Sequence, residues 1–172
     1  RIAQAMIDLA FEGEISPSAE RVAERAGVGR RTVFRLFSDM EGVYREAHAL
    51  MMERLQPIIE EELAGPDWRA RFEQMIERRA RLFEEMLPVK TASDAFRGQS
   101  EFLQNDHVEI TRMLRGVLLF ALPKEITEDK TLFEAIDFTM SFEAWRRLRQ
   151  EQRLPAKAAL AVTRRIIGAL VD

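Results

Sequence analysis

Apolar residues return every three or four positions along nearly the whole of this chain. That interval belongs to helices; runs alternating every second residue, as a half-buried strand would, are missing. Ile2, Met6, Leu9 and Ala10 make the first stripe, which ends near Gly13. Ser16-Pro17-Ser18 then reads as a helix start with Ser18 as its cap. Two short helices come next, Ala19 to Ala26 and Arg30 to about Phe37. Gly27-Val28-Gly29 joins them by a tight turn, because glycine enters left-handed backbone at little cost. Ser38-Asp39-Met40-Glu41 is a capping box in which Ser38 accepts the Glu41 amide and Glu41 reaches back. It opens a long helix to about Leu63, with Pro57 as a point of bending and Gly65-Pro66 as its end. Further helices are expected over Asp67 to Leu87, Val89 to Gln104, Asp106 to Leu122, Asp129 to Gln152 and Pro155 to Val171. Pro88, Asn105-Asp106, Pro123 and Pro155 mark the breaks. The expected fold is all-α, with about nine helices.

Composition narrows the chemistry. The chain has 172 residues, 47% hydrophobic and 32% charged, enough to bury a core and stay soluble. It has no cysteine and only two histidines, His48 and His107. Disulfides, thiolate zinc sites and a cysteine nucleophile are thereby excluded, no metal site is expected, and a cytoplasmic setting fits. No cofactor motif is present. No apolar run approaches the roughly 18 residues of a membrane span, and no signal peptide is visible. The chain opens on Arg1 rather than methionine, as if a leader or arm had preceded it.

Charge singles out one stretch. The formal net charge is −3, yet from Arg25 to Ser38 there are four arginines and no carboxylate. In a helix-turn-helix, Ala23 is small where two helices cross, Gly27 takes the turn, and Val22, Val28, Val33 and Phe37 should face the crossing and the first helix. That frame leaves Arg30, Arg31, Thr32 and Arg35 outward. Arginine donates two hydrogen bonds to guanine in the major groove, so Arg30, Arg31 and Arg35 are the base-reading candidates. Thr32, and the helix starts at Ser18 and Ser38, are the phosphate-binding candidates. The plainer alternative is a solvated arginine face, which the glycine turn, the small crossing residue and the missing acids oppose.

The stretch ERVAERAGVGRRTVFRLFSDMEGVYREA resembles the amino-terminal signature of the TetR family of transcriptional regulators. It carries a Val-Ala pair, Ala-Gly-Val, a threonine, an aromatic, a closing Phe and a capped fourth helix, and the likeness covers roughly Ile2 to Ala47. It implies a DNA-binding domain over 1–46 and a helical effector-binding and dimerisation domain over 47–172. The sequence departs from the family pattern in four places. Gly29 stands where a serine cap is usual, Phe34 where tyrosine is common, Leu36 where histidine or tyrosine is frequent, and Met40 where a phosphate-binding lysine is usual.

The resemblance also implies a homodimer on a double-stranded palindromic operator, released by a small-molecule effector. Two stripes on Asp129 to Gln152, one of Phe133, Ile136, Met140 and Ala144 and one of Phe138, Phe142, Trp145 and Leu148, suggest a helix buried on two sides. With the small residues of the last helix, this gives Phe142, Trp145, Val162, Ile166 and Ala169 as dimer-interface candidates, the alternative being that both stripes pack within one subunit. Phe72, Met75, Phe96, Phe102, Met113 and Phe120 are candidates to line an apolar or aromatic ligand's pocket, or are plain core. His48, Arg97, Gln99 and His107 are polar candidates there, or ordinary surface. An enzyme is disfavoured: Glu60-Glu61-Glu62 and Glu84-Glu85 read as solvated helix faces, with no nucleophile, base or phosphate loop beside them. The rival reading is a helical ligand-binding or interaction protein with weakened DNA recognition.

Overall fold

The structure, a computed structural model, describes residues 1–37 and 39–171. It is all-α, with ten α-helices and no strand among the described residues. These are α1 (Ile2–Phe11), α2 (Ala19–Ala26), α3 (Arg30–Leu36), α4 (Met40–Ile59), α5 (Trp68–Asp94), α6 (Glu101–Ala121), α7 (Lys124–Thr127), α8 (Lys130–Thr139), α9 (Phe142–Arg146) and α10 (Ala156–Val171). A 3₁₀ turn at Arg97–Gln99 precedes α6, and a π turn at Arg147–Glu151 comes after α9.

The chain packs as two units. One comprises Arg1–Pro57 with Glu85–Val108. Its core gathers the apolar stripe of α1, with Leu9 fully buried, onto Val22 and Ala23 of α2, Val33 of α3 and Val43, Ala47, Met51 and Leu55 of α4. In the same unit the first turns of α4 are held to the segment 96–106. Glu41 accepts the Ser100 hydroxyl at 2.9 Å, the Tyr44 ring lies 5.4 Å from that of Phe96, and Arg45 covers the Phe102 ring at 4.5 Å. His48 Nδ1 meets Asp106 at 3.1 Å. The Tyr44 hydroxyl is buried without a hydrogen-bond partner among the described residues, and burial raises its pKa.

The other unit comprises Ile58–Glu84 with Glu109–Asp172. Its core joins Phe72, Met75 and Ile76 of α5, Leu118 of α6, Ile126 of α7, Phe133 and Ile136 of α8 and Ile167 of α10. Arg79 is buried there, donating to the Met140 carbonyl at 3.2 Å and the Leu114 carbonyl at 2.8 Å. Burial lowers its pKa to about 10, with Asp137 partly offsetting the effect. A cavity of about 10 Å³ beside it, lined among others by Phe83, Ser141 and Trp145, is about the size of one water.

Four helix boundaries differ from expectation. Pro88 does not end a helix: α5 runs on to Asp94, six residues beyond it. The missing N–H is outweighed by buried neighbours, Phe83 and Met86 before and Lys90 after, and Lys90 closes an i,i+4 pair with Asp94 at 2.9 Å. Asn105-Asp106 lies inside α6, because Asp106 turns sideways to His48. The break falls instead at 95–100, where Ser100 Oγ caps α6 by accepting the Leu103 amide at 3.1 Å. The expected helix Asp129 to Gln152 is cut by Ser141, whose Oγ caps α9 on the Ala144 amide at 3.1 Å. The long fourth helix stops at Ile59, two residues past Pro57 and short of Leu63.

Arg79→Ala removes the side-chain donor to the Met140 and Leu114 carbonyls and opens a void, so it should destabilise the protein by about 2–4 kcal/mol. Urea unfolding of the two proteins measures this.

Candidate nucleic-acid interface

The site starts from a turn. α2 ends on Gly27, whose φ of 65° and ψ of 39° are left-handed. The Val28 amide bonds back to the Ala23 carbonyl and the Gly27 amide to that of Glu24, both at 3.0 Å. This six-to-one and five-to-two pair is the Schellman closure, and it satisfies the last carbonyls of α2 while turning the chain sharply. Any side chain at that φ is strained. At the other end of α2, Ser18 Oγ accepts the Arg21 amide at 3.2 Å, so this phosphate candidate is the helix cap, as expected from sequence, and its residue stays exposed.

α2 is also tied electrostatically to α1. Arg25 reaches Glu12 at 2.6 Å and Asp8 at 3.8 Å. Arg21 bonds Glu24 and Glu14, at 3.0 and 3.1 Å, and these hydrogen bonds raise its pKa. Arg1 donates to the Ala26 carbonyl at 3.0 Å. These cations are therefore committed within the first unit.

α3 is short, and its one buried residue is Val33. Val28 and Phe37 are half-buried, and Ala23 is buried. At about 100° per residue, Arg31 and Arg35 lie opposite Val33. Both are exposed, and among the described residues neither makes an ion pair. Arg30 differs. Its Nη1 meets Glu20 of α2 at 2.5 Å, and its guanidinium lies over the Phe34 ring, 5.4 Å from the centroid. Thr32 is half-buried, on the flank away from Arg30. Gly29 flanks α3 without a side-chain cap, and the Thr32 amide bonds its carbonyl at 2.8 Å.

Ser38, a phosphate candidate and the expected cap of α4, lies outside the described residues. Asp39 is seen in a capping role, its Oδ1 accepting the Gly42 amide at 3.0 Å. Glu41 binds Ser100 and Arg45. Gly42 has a spatial reason to be glycine: an added Cβ would stand 3.1 Å from Cδ1 of Phe37. Sequence reasoning missed Glu20 and Asp39. Asp39 stands beside the serine in the same capping segment; nothing in the sequence pairs Glu20 with a residue ten positions away.

The other candidates scatter. Phe142 and Trp145 are buried inside the second unit, Phe142 edge-on to Phe83 at 5.5 Å and Trp145 donating to Glu84 at 2.8 Å. They hold α9 from within and leave little surface for another copy. Ile166 and Ala169 are exposed and Val162 is half-buried on α10. Of the pocket candidates, Phe72 and Met75 are core of the second unit. Phe96 and Phe102 pack on Tyr44 and His48 in the first. Met113 is 39% and Phe120 95% exposed, so these two line no enclosed pocket. The polar candidates His48, Arg97 and His107 contact Asp106, Asp94 and Lys90, while Gln99 is exposed. No group of three or more metal-ligating side chains is found among the described residues. No described helix is long and apolar enough to cross a membrane.

Gly27→Ala forces a side chain into left-handed backbone, at a cost of about 1–2 kcal/mol. Thermal unfolding should show the loss, whereas Gly29→Ala, with extended backbone and open space, should be near neutral.

No family model matches the chain, and no curated protein is similar to it. Among solved structures, the chain is similar to the crystal structure of a transcriptional regulator from Rhodococcus sp. Rha1. The likeness has a TM-score of 0.69 at 22% identity and covers 99% of this chain and 94% of that one. At that identity the shared property is the fold: this chain has the all-α architecture of that regulator.

Proposed function

We propose that this chain is a sequence-specific DNA-binding transcriptional regulator of the TetR type, not an enzyme. In this reading it is a cytoplasmic homodimeric repressor, released from a palindromic operator by an apolar or aromatic small molecule. The observation that carries the reading is α3, set at a left-handed glycine turn with exposed Arg31 and Arg35, which make no ion pair among the described residues, opposite its buried Val33. A short basic helix that projects from a packed helical base suits the major groove. The regulator fold shared with the Rhodococcus protein supports it.

Residues 1–46 would carry DNA binding and 47–172 effector binding and dimerisation. A two-fold dimer would set two copies of α3 one DNA turn or a longer interval apart. Its interface would use Val162, Ile166 and Ala169 of α10, with Phe138 of α8, which is 71% exposed, in place of the buried Phe142 and Trp145. Release requires an effector that favours the arrangement unable to bind DNA. α4 is the natural lever, since its first turns are bonded to the segment 96–106 within the first unit.

One observation favours the rival reading of a helical interaction protein. Phe34 and Leu36, where polar phosphate anchors are common in the family, are exposed apolar side chains. A gel shift with genomic fragments separates the two. Specific binding should survive competitor DNA and weaken steeply with salt, by a log–log slope of about −0.9 per phosphate contact. Arg31→Ala should cost about 1–3 kcal/mol of binding and relax selection at one base position. Retained affinity and an unchanged preference would count against α3 as the reader. Ile166→Glu should shift the dimer to monomer in sedimentation and lower operator affinity, by placing charge in an apolar contact.

A further inference from the structure

The outward side of α3 is not only basic. Phe34 leaves 42% of its surface exposed, a large apolar ring with little return in folding. Arg30 lies against that ring, and Glu20 holds Arg30. By helical position Phe34 lies between Arg30 and Arg31, beside the outermost pair Arg31 and Arg35. A duplex that meets Arg31 and Arg35 therefore also meets Phe34. In the major groove the apolar group available to such a side chain is the C5-methyl of thymine.

We infer that Phe34 is a specificity-determining residue that packs on a thymine methyl, with Arg30 and Glu20 as the residues that position its ring. The inference rests on the DNA-binding reading above and adds a base contact to it. Arg30 becomes a buttress held by Glu20 rather than a third guanine reader. Each half-site then holds a thymine close to the guanines that Arg31 and Arg35 contact. The residue also takes a different part from a tyrosine at this position, whose hydroxyl could bond phosphate: the ring serves base selection instead.

The test uses the full-length chain and a duplex that it enriches from random DNA. Each thymine of that duplex is replaced singly by deoxyuridine, which removes only the methyl. At one position per half-site, affinity should fall about fourfold, the value of one buried methyl. Phe34→Ala should bind the thymine and deoxyuridine forms equally, whereas Phe34→Leu should keep most of the discrimination. Arg31→Ala should bind both forms more weakly with the discrimination intact. Because each variant is compared with itself on two duplexes, partial loss of folding cancels. An enriched duplex with no methyl-sensitive thymine would overturn this inference alone, as would discrimination that persists in Phe34→Ala. Failure to enrich any duplex would overturn the DNA-binding reading and this inference with it.

Discussion

The direction in which α3 leaves α2 depends on the left-handed backbone of Gly27. With φ positive there, the last carbonyls of α2 close onto the amides of Gly27 and Val28, and the chain reverses within a few residues. Only then can Val33 drop into the core that Leu9, Val22 and Val43 build. Once Val33 is buried, helical geometry decides the rest: Arg31 and Arg35 point away, with Arg30 and Phe34 on one flank and Thr32 and Leu36 on the other. A β-carbon at Gly27 would oppose this angle through local strain, even though the space beside it is open apart from Arg1.

If α3 is the DNA-reading face proposed above, an acidic chain must keep its carboxylates from pairing with the cations it needs. Here they are occupied elsewhere. Glu12 and Asp8 hold Arg25, Glu14 and Glu24 hold Arg21, and Glu20 holds Arg30. Each exposed pair contributes little to stability. Their effect is on the field: the pairs neutralise the flanks of α3 and leave unbalanced positive charge at Arg31 and Arg35. With a net charge of −3 over the whole chain, attraction to phosphate in the proposed complex would be concentrated in one place, limiting indiscriminate binding.

The amino-terminal helices were legible because their signals are local. Ser18, Gly27 and the spacing of Val22, Val33 and Phe37 each act within a few residues: Ser18 caps α2, Gly27 is left-handed, and Val22 and Val33 are buried. Later boundaries were misplaced because they are decided by contacts distant in sequence. Pro88 is tolerated inside α5 because the helix is pinned on both sides of it. Asp106 looked like a breaker until its partner proved to be His48, 58 positions earlier. Ser100 and Ser141 are caps, but an isolated serine is too common a residue to announce one. Arg30 was legible as outward, and its capture by Glu20 was not, because an ion pair between two helices leaves no periodic trace.

Ser141 shows how far one such boundary reaches. A continuous helix would put Phe138, Phe142 and Trp145 on one stripe, because residues four and seven apart share a face. The cap restarts the helix and rotates the turns after it. Phe142 and Trp145 turn inward to Phe83 and Glu84, while Phe138 stays outside at 71% exposure. Arg149 ties the adjoining π turn to the same Glu84 at 2.7 Å, so the restart is anchored at both ends. The interior is thereby completed within one copy. The apolar surface that remains on α8 and α10, with Phe138 and Ile166 exposed, is what a second copy would cover in the proposed dimer.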